Sequence, residues 1–126
     1  MGRRSTVQTV ALVFGVIYLA AGVLGFLPFL VTDNRLLGLF TVNALHNLVH
    51  VVIGIGGLAA VSSLPNARRF CQVAGVILLL LGVIGIVNHN PLGLLDIGGL
   101  DIALHLVSGA VLAYFGFAAT VSTRSA

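Results

Sequence analysis

The sequence predicts an all-α integral membrane protein, a single domain over residues 1–126 in which four transmembrane helices form a bundle of two parallel helical-hairpin repeats. Three observations predict this class: 59% of the 126 residues are hydrophobic, only 7% are charged, and long apolar runs alternate with short polar segments. Soluble domains carry about 25% charged residues. A chain this short cannot bury so much apolar surface in its own core, so we expect lipid to surround it.

Four apolar runs are long enough to cross a bilayer, for which a helix needs about 20 residues. We expect the helices at about residues 7–30, 43–61, 70–87 and 101–119. The first run exceeds the apolar region of a cleaved signal peptide, which has about 7–15 residues, so we expect it to be retained. Cys71 fits a small buried apolar side chain. Pro91 suits the first turn of a short helix in the second outer loop.

The arginines indicate how the helices are oriented. The positive-inside rule places the arginine-rich side in the cytoplasm, and with it both termini. Only Arg35 falls on the other side. These arginines do not form the dense basic patch that nucleic acid requires, so the expected partners are the lipid bilayer and, beyond it, a homo-oligomer or a larger membrane complex. The arginines of the cytoplasmic side are Arg3, Arg4, Arg68, Arg69 and Arg124.

An internal repeat relates residues 7–61 to residues 70–119. The segment from Gly15 to Gly25 matches the segment from Gly75 to Gly85, sixty positions later, and the second helix matches the fourth at a spacing of fifty-five. This second alignment places His50 opposite His105 and His46 opposite Asp101. Small residues let membrane helices approach closely. The glycines predicted to pack helices together are Gly15, Gly22, Gly54, Gly75, Gly82, Gly109 and Gly116.

Polar side chains begin the second and fourth helices at steps of three or four residues, which places them on shared helix faces. Polar groups below the headgroups should point into the bundle and pair with one another. The ligand or metal candidates are His46, His50, Asp101 and His105, with Asn43, Asn47 and Ser108 as supporting hydrogen-bond partners.

Three interpretations of this cluster stay open. In the first, the cluster only locks helix packing, as in a structural or accessory subunit. In the second, it binds zinc or copper, or a haem held by His50 and His105. In the third, it binds a small molecule or relays protons. The sequence contains no motif of a known catalytic site, so we assign no catalytic residues and favour a protein that is not an enzyme.

Two segments carry a family resemblance. The segment from Val42 to His50, VNALHNLVH, followed by Gly54, and the segment from Asp101 to Gly109, DIALHLVSG, resemble the signature of a family of small four-helix membrane proteins. That family is found mostly in actinobacteria and is known only as a domain of unknown function. The resemblance covers nearly the whole chain and implies a bacterial plasma-membrane protein. It carries over no catalytic residues.

Overall fold

A computed structural model of the chain describes residues 4–118 and contains the predicted bundle of four α-helices. These helices are α1 (Thr6–Leu24), α2 (Ala44–Ala60), α3 (Leu64–Val87) and α4 (Leu100–Ala113), and a π-helical turn over Tyr114–Ala118 extends α4. With this extension, α1, α3 and α4 are long and apolar enough to span a membrane, whereas α2 is an apolar helix of 17 residues.

Two helix boundaries differ from the sequence expectation by six residues. Helix α3 begins at Leu64 rather than at 70, because the Ser63 hydroxyl caps the helix by accepting a hydrogen bond from the Asn66 amide, with a proline in the first turn. Helix α1 ends at Leu24 rather than at 30, and a short 3-10 helix over Pro28–Leu30 follows. Apolar composition continues past the end of α1, so hydropathy alone did not detect it. Residue 119, the expected end of the fourth helix, lies outside the described residues, as do Arg3 and Arg124.

The two hairpins pack through equivalent close contacts. A Cβ atom added to Gly15 of α1 would lie 3.0 Å from the Leu58 amide nitrogen, and one added to Gly75 of α3 would lie 2.6 Å from the Ala113 amide nitrogen. Positions 58 and 113 are themselves fifty-five residues apart. The α1–α2 pair and the α3–α4 pair are therefore held by the same backbone approach, which explains glycine at these positions.

The centre of the bundle lies between α1 and α3. Both helices turn their small residues inward, including Ala11 and Cys71, which are fully buried and occupy equivalent positions of the repeat. The Cys71 thiol is free. Larger side chains fill the level above them, where Tyr18 of α1 occupies the position that Leu78 holds in α3.

The loop between α1 and α2 folds into a small antiparallel sheet that hydropathy did not predict. Its strands are β1 (Val31–Thr32), β2 (Arg35–Leu36) and β3 (Phe40–Thr41). Asp33 and Asn34 form the turn between β1 and β2 with φ of 52° and 60°. Two consecutive residues with positive φ match the twist of a two-residue hairpin, and Asp and Asn tolerate that conformation.

The first loop joins α1 to α2, and the second loop joins α3 to α4. The two loops lie at the same end of the bundle and interlock over the starts of α2 and α4. The Leu100 amide donates to the Leu39 carbonyl at 3.0 Å, and the Thr41 amide donates to the Gly98 carbonyl at 3.3 Å. The second loop contains a 3-10 turn over Pro91–Gly93, where the sequence indicated a short helix. The interlocked loops cover the polar starts of both helices, and their buried apolar residues include Leu36, Val42 and Ile97.

Candidate metal centre

Four polar side chains that the sequence singled out meet beneath the interlocked loops. His46 and His50 come from the first two turns of α2, and Asp101 and His105 come from the first two turns of α4. Each is at most 2% exposed. One nitrogen or oxygen atom from each of the four lies within 4.8 Å of the others, so the four groups form a single cluster.

The three imidazoles turn their Nε2 atoms toward the Asp101 carboxylate and toward one another. The His46 Nε2 lies 3.2 Å from Oδ2 of Asp101, and the His105 Nε2 lies 3.5 Å from Oδ1. The His50 Nε2 lies 3.1 Å from the His105 Nε2 and 3.9 Å from Oδ1 of Asp101. The cluster therefore offers three nitrogen atoms and a carboxylate around one point.

A backbone carbonyl of the second loop orients the His46 ring. The Nδ1 atom of His46 lies 2.7 Å from the Asp96 carbonyl oxygen. Because a carbonyl oxygen can only accept, Nδ1 carries the hydrogen, and the Nε2 atom of the neutral ring directs a lone pair into the cluster. Metal-ligating histidines commonly donate their second N–H to a carbonyl or carboxylate in this way. The Asp96 carboxylate in turn accepts a hydrogen bond from the side-chain amide of Asn90.

Several atoms of the cluster are buried without a hydrogen-bond partner among the described residues. They include Oδ1 of Asp101 and the Nδ1 atoms of His50 and His105. Burial of a carboxylate costs several kcal/mol unless a cation or a set of hydrogen bonds compensates it. The helix dipole at the first turn of α4 favours negative charge there but contributes only about 0.3–1 kcal/mol. The cluster therefore has the charge and the lone pairs to accept a cation.

The spacing of these atoms fits tetrahedral coordination. Zinc binds imidazole nitrogen at about 2.0–2.1 Å, which places neighbouring ligand atoms of a tetrahedron roughly 3.3–3.4 Å apart. The distances above, from 3.1 to 3.9 Å, bracket that value. A haem held by His50 and His105 does not fit, because their Nε2 atoms lie 3.1 Å apart and leave no room for an iron and its ring between them.

The two asparagines predicted to support the cluster lie at the start of α2 and beside the end of α1. The Asn43 side chain caps α2 by accepting from the His46 amide at 2.8 Å, and it donates to the Leu94 carbonyl at 3.0 Å. Asn47 is buried against Gly25, the residue that follows α1. Asn43 therefore supports His46 through its backbone, and among the described residues no hydrogen bond joins Asn43 or Asn47 to an imidazole. One residue of helix turns the direction of a side chain by about 100°, which places Asn47 beside α1 instead of in the cluster.

Tyr18 is the neighbour of the cluster that sequence reasoning left out. Its ring is fully buried, with centroids 5.1 Å from that of His50 and 6.4 Å from that of His105. Ser108, the third expected supporting residue, is buried and interacts with Tyr18 rather than with an imidazole. The internal repeat could have identified Tyr18, because it aligns this tyrosine with Leu78, an apolar residue of α3. A polar hydroxyl at one of two equivalent buried positions indicates a polar neighbour.

The fold and the cluster together define a class of protein: a small apolar four-helix bundle, compatible with membrane spans, with a buried His/Asp cluster between its second and fourth helices. Residues 8–118 match the family described as Domain of unknown function (DUF4383), and the chain belongs to this family. No curated protein and no solved structure matches the chain.

Proposed function

We propose that this protein binds a divalent metal ion within the membrane, through the Nε2 atoms of His46, His50 and His105 and the carboxylate of Asp101. One observation carries the proposal: three buried imidazoles and one buried carboxylate bring their ligand atoms within 4.8 Å of one another. We assign no catalytic residue, and the protein acts as a metal-binding membrane component rather than as an enzyme.

Zinc is the metal that this ligand set favours. Three imidazole nitrogens and one carboxylate oxygen are ligands that zinc accepts in tetrahedral sites. Copper also binds imidazole and ranks above zinc in intrinsic affinity for such ligands. The four ligands come from two helices whose spacing the interlocked loops fix, so the site is already assembled before a metal arrives.

We further propose that the protein lies in a bacterial plasma membrane with both termini in the cytoplasm. Arg4 and Arg69 are exposed near the starts of α1 and α3, at one end of the bundle. Arg35 is exposed in the loop at the opposite end, near the cluster. By the positive-inside rule, this distribution supports an outward-facing metal site beneath the outer loops.

A structural role for the cluster is the alternative, and one observation favours it. His46 joins three parts of the chain, because it belongs to α2, donates to the Asp96 carbonyl of the second loop and lies 3.2 Å from Asp101 of α4. Polar pairs between membrane helices contribute about 0.6 kcal/mol each on average. In this alternative, the protein is a structural or accessory subunit whose polar cluster fixes helix packing.

Metal analysis of the purified protein separates the two functions. The protein is extracted in mild detergent from cells grown with zinc and copper, and its bound metals are measured by mass spectrometry. Metal binding predicts equimolar zinc or copper in the wild type and its loss in His50→Ala and His105→Ala. His89→Ala is the matched control, because His89 is the exposed histidine of the second loop.

The alternative outcome is equally specific. A wild type without bound metal, even after dialysis against zinc or copper, would overturn the metal-binding proposal. If His50→Ala then lowers the unfolding temperature of that metal-free protein while His89→Ala does not, the structural role is supported instead. Retention of equimolar metal by both His50→Ala and His105→Ala would place the metal elsewhere.

A further inference from the structure

A cavity of about 320 Å³ lies beside the metal centre, between α1, α4 and the first loop. Its walls are apolar, and the polar groups that line it are His50 and Asp101, two of the proposed metal ligands. Wall residues Ile17, Leu24 and Leu37 are themselves 40%, 37% and 56% exposed, so the cavity reaches the surface of the bundle. A molecule dissolved in lipid can therefore enter the cavity beside the cluster from the side of the bundle.

A departure from the internal repeat creates this cavity. Ala20 and Ala21 line it on α1, whereas the equivalent positions of α3, sixty residues later, are Leu80 and Leu81. Replacement of two leucines by two alanines removes six side-chain carbon atoms from this wall. The flanking glycines keep the repeat, since Gly22 of α1 and Gly82 of α3 are both buried against their partner helices. The two hairpins thus share their packing and differ where the cavity lies.

A metal bound by the four ligands beside this cavity would carry an uncompensated positive charge. Three neutral imidazoles and one carboxylate leave a divalent ion with a net charge of +1, which is costly to bury away from water. An anionic oxygen entering from the cavity would neutralise this charge. Zinc centres sometimes expand from four ligands to five, which would admit this oxygen without loss of a histidine. The carboxylate of Asp101 disfavours an anion at this position when no metal is present.

We propose that this cavity binds a membrane-soluble molecule with an apolar body and one anionic oxygen, a carboxylate or a phenolate, which coordinates the metal beside His50 and Asp101. The inference rests on the proposed metal site and extends it to a ligand class. Its size fits the lower end of small-molecule sites, which measure about 300–1,000 Å³. The apolar walls select the body of the ligand, and the metal selects its oxygen.

Cobalt-loaded protein in lipid nanodiscs tests the proposal, because the visible bands of cobalt(II) respond to a change of ligands. Decanoate is titrated into the wild type, and decanol serves as the ligand with the same apolar body but no anionic oxygen. Ala20→Leu and Ala21→Leu, combined, restore the residues that α3 carries. Ala59→Leu is the matched control, since Ala59 is an exposed alanine of α2 away from the cavity. Cobalt content is measured separately for every variant.

We expect decanoate to shift the cobalt bands saturably and decanol to leave them unchanged. The combined leucine variant should keep its cobalt and bind decanoate about tenfold more weakly or worse, the effect expected of added methylenes in a filled pocket. Ala59→Leu should match the wild type. Equal shifts with decanol, or unchanged decanoate binding in the leucine variant, would overturn the ligand assignment and leave the metal site standing. A wild type that takes up no cobalt at the cluster would overturn both.

Discussion

The Nε2 atoms of His50 and His105 lie 3.1 Å apart although the two residues are separated by 55 positions in the chain. They occupy equivalent positions of the internal repeat, so this contact lies close to the axis that relates the two hairpins. Two imidazole nitrogens at this distance repel each other unless a hydrogen or a cation lies between their lone pairs. The Asp101 carboxylate beside them favours a cation.

Asp101→Asn should be more stable than the wild type without metal and less stable than the wild type with metal. Without metal, Asp101→Asn removes a buried carboxylate whose Oδ1 lacks a hydrogen-bond partner among the described residues, so we expect the free energy of unfolding to rise by about 1–2 kcal/mol. With zinc at a hundred times its dissociation constant, the wild type gains about 2.7 kcal/mol that a variant without a metal site does not. Chemical unfolding in detergent, with zinc and with a chelator, measures both differences.

Asp33→Asn is the control for this prediction. Asp33 lies in the exposed turn of the first loop with φ of 52°, a conformation that asparagine adopts equally well. We expect its stability to follow the wild type under both conditions. The prediction fails if Asp101→Asn is less stable than the wild type in chelator, because the carboxylate would then stabilise the protein without a metal.

Alanine at Gly109 should destabilise the bundle, whereas alanine at Gly56 should not. A Cβ at Gly109 would lie 2.7 Å from the Leu79 amide nitrogen, and backbone cannot move aside cheaply, so we expect a loss of about 1–3 kcal/mol. At Gly56 the nearest atoms belong to the Phe70 ring at 3.8 Å. There, alanine should raise stability by roughly 0.5–1 kcal/mol through its better helix propensity. Unfolding midpoints of both variants in one detergent test the pair, and equal effects would contradict the close approach of α3 and α4.

Periodicity explains why the sequence predicted as much of the site as it did. His46 and His50, like Asp101 and His105, are four residues apart, so a helix must place each pair on one face. The repeat then places the two faces in equivalent positions of the two hairpins. Because exposure of such polar side chains to lipid is costly, they face the interior of the bundle. Helix spacing, the internal repeat and the lipid environment together predict that these four residues meet, and none of the three depends on the conformation of a loop.

What the sequence did not predict depends on backbone and on loops. The hydrogen bond that orients His46 comes from the Asp96 carbonyl, and a carbonyl has no signature in a sequence. The small sheet of the first loop depends on positive φ at Asp33 and Asn34, and its apolar strands are too short to show a period. The spacing of four between Asn43 and Asn47 predicts a shared helix face, but Asn47 directly follows His46, and this step of one residue turns its side chain toward α1.

Leu92→Gly should stabilise the protein. Leu92 has φ of 57° and is 90% exposed, so its side chain gains little contact while its backbone adopts a left-handed conformation. This conformation costs a residue with a Cβ about 1–2 kcal/mol, and glycine avoids the cost. Leu94→Gly is the control, because Leu94 is 55% exposed with φ of −106°. We expect a higher unfolding temperature for Leu92→Gly and a lower one for Leu94→Gly, and a loss of stability in both would show that the Leu92 side chain anchors the loop.

Labelling of single cysteines should establish which end of the bundle faces outward. Thr32 is exposed in the first loop near the metal centre, and Asn66 is exposed at the opposite end, in the first turn of α3. The arginine distribution predicts that Thr32→Cys reacts with a membrane-impermeant maleimide in intact cells and that Asn66→Cys reacts only after the membrane is permeabilised. Both variants are made in a Cys71→Ala background, and since Cys71 is the single cysteine of the sequence, the background protein should stay unlabelled before and after permeabilisation. The reverse pattern would place the metal centre beneath the cytoplasmic face, so that metal and ligand would reach it from inside the cell.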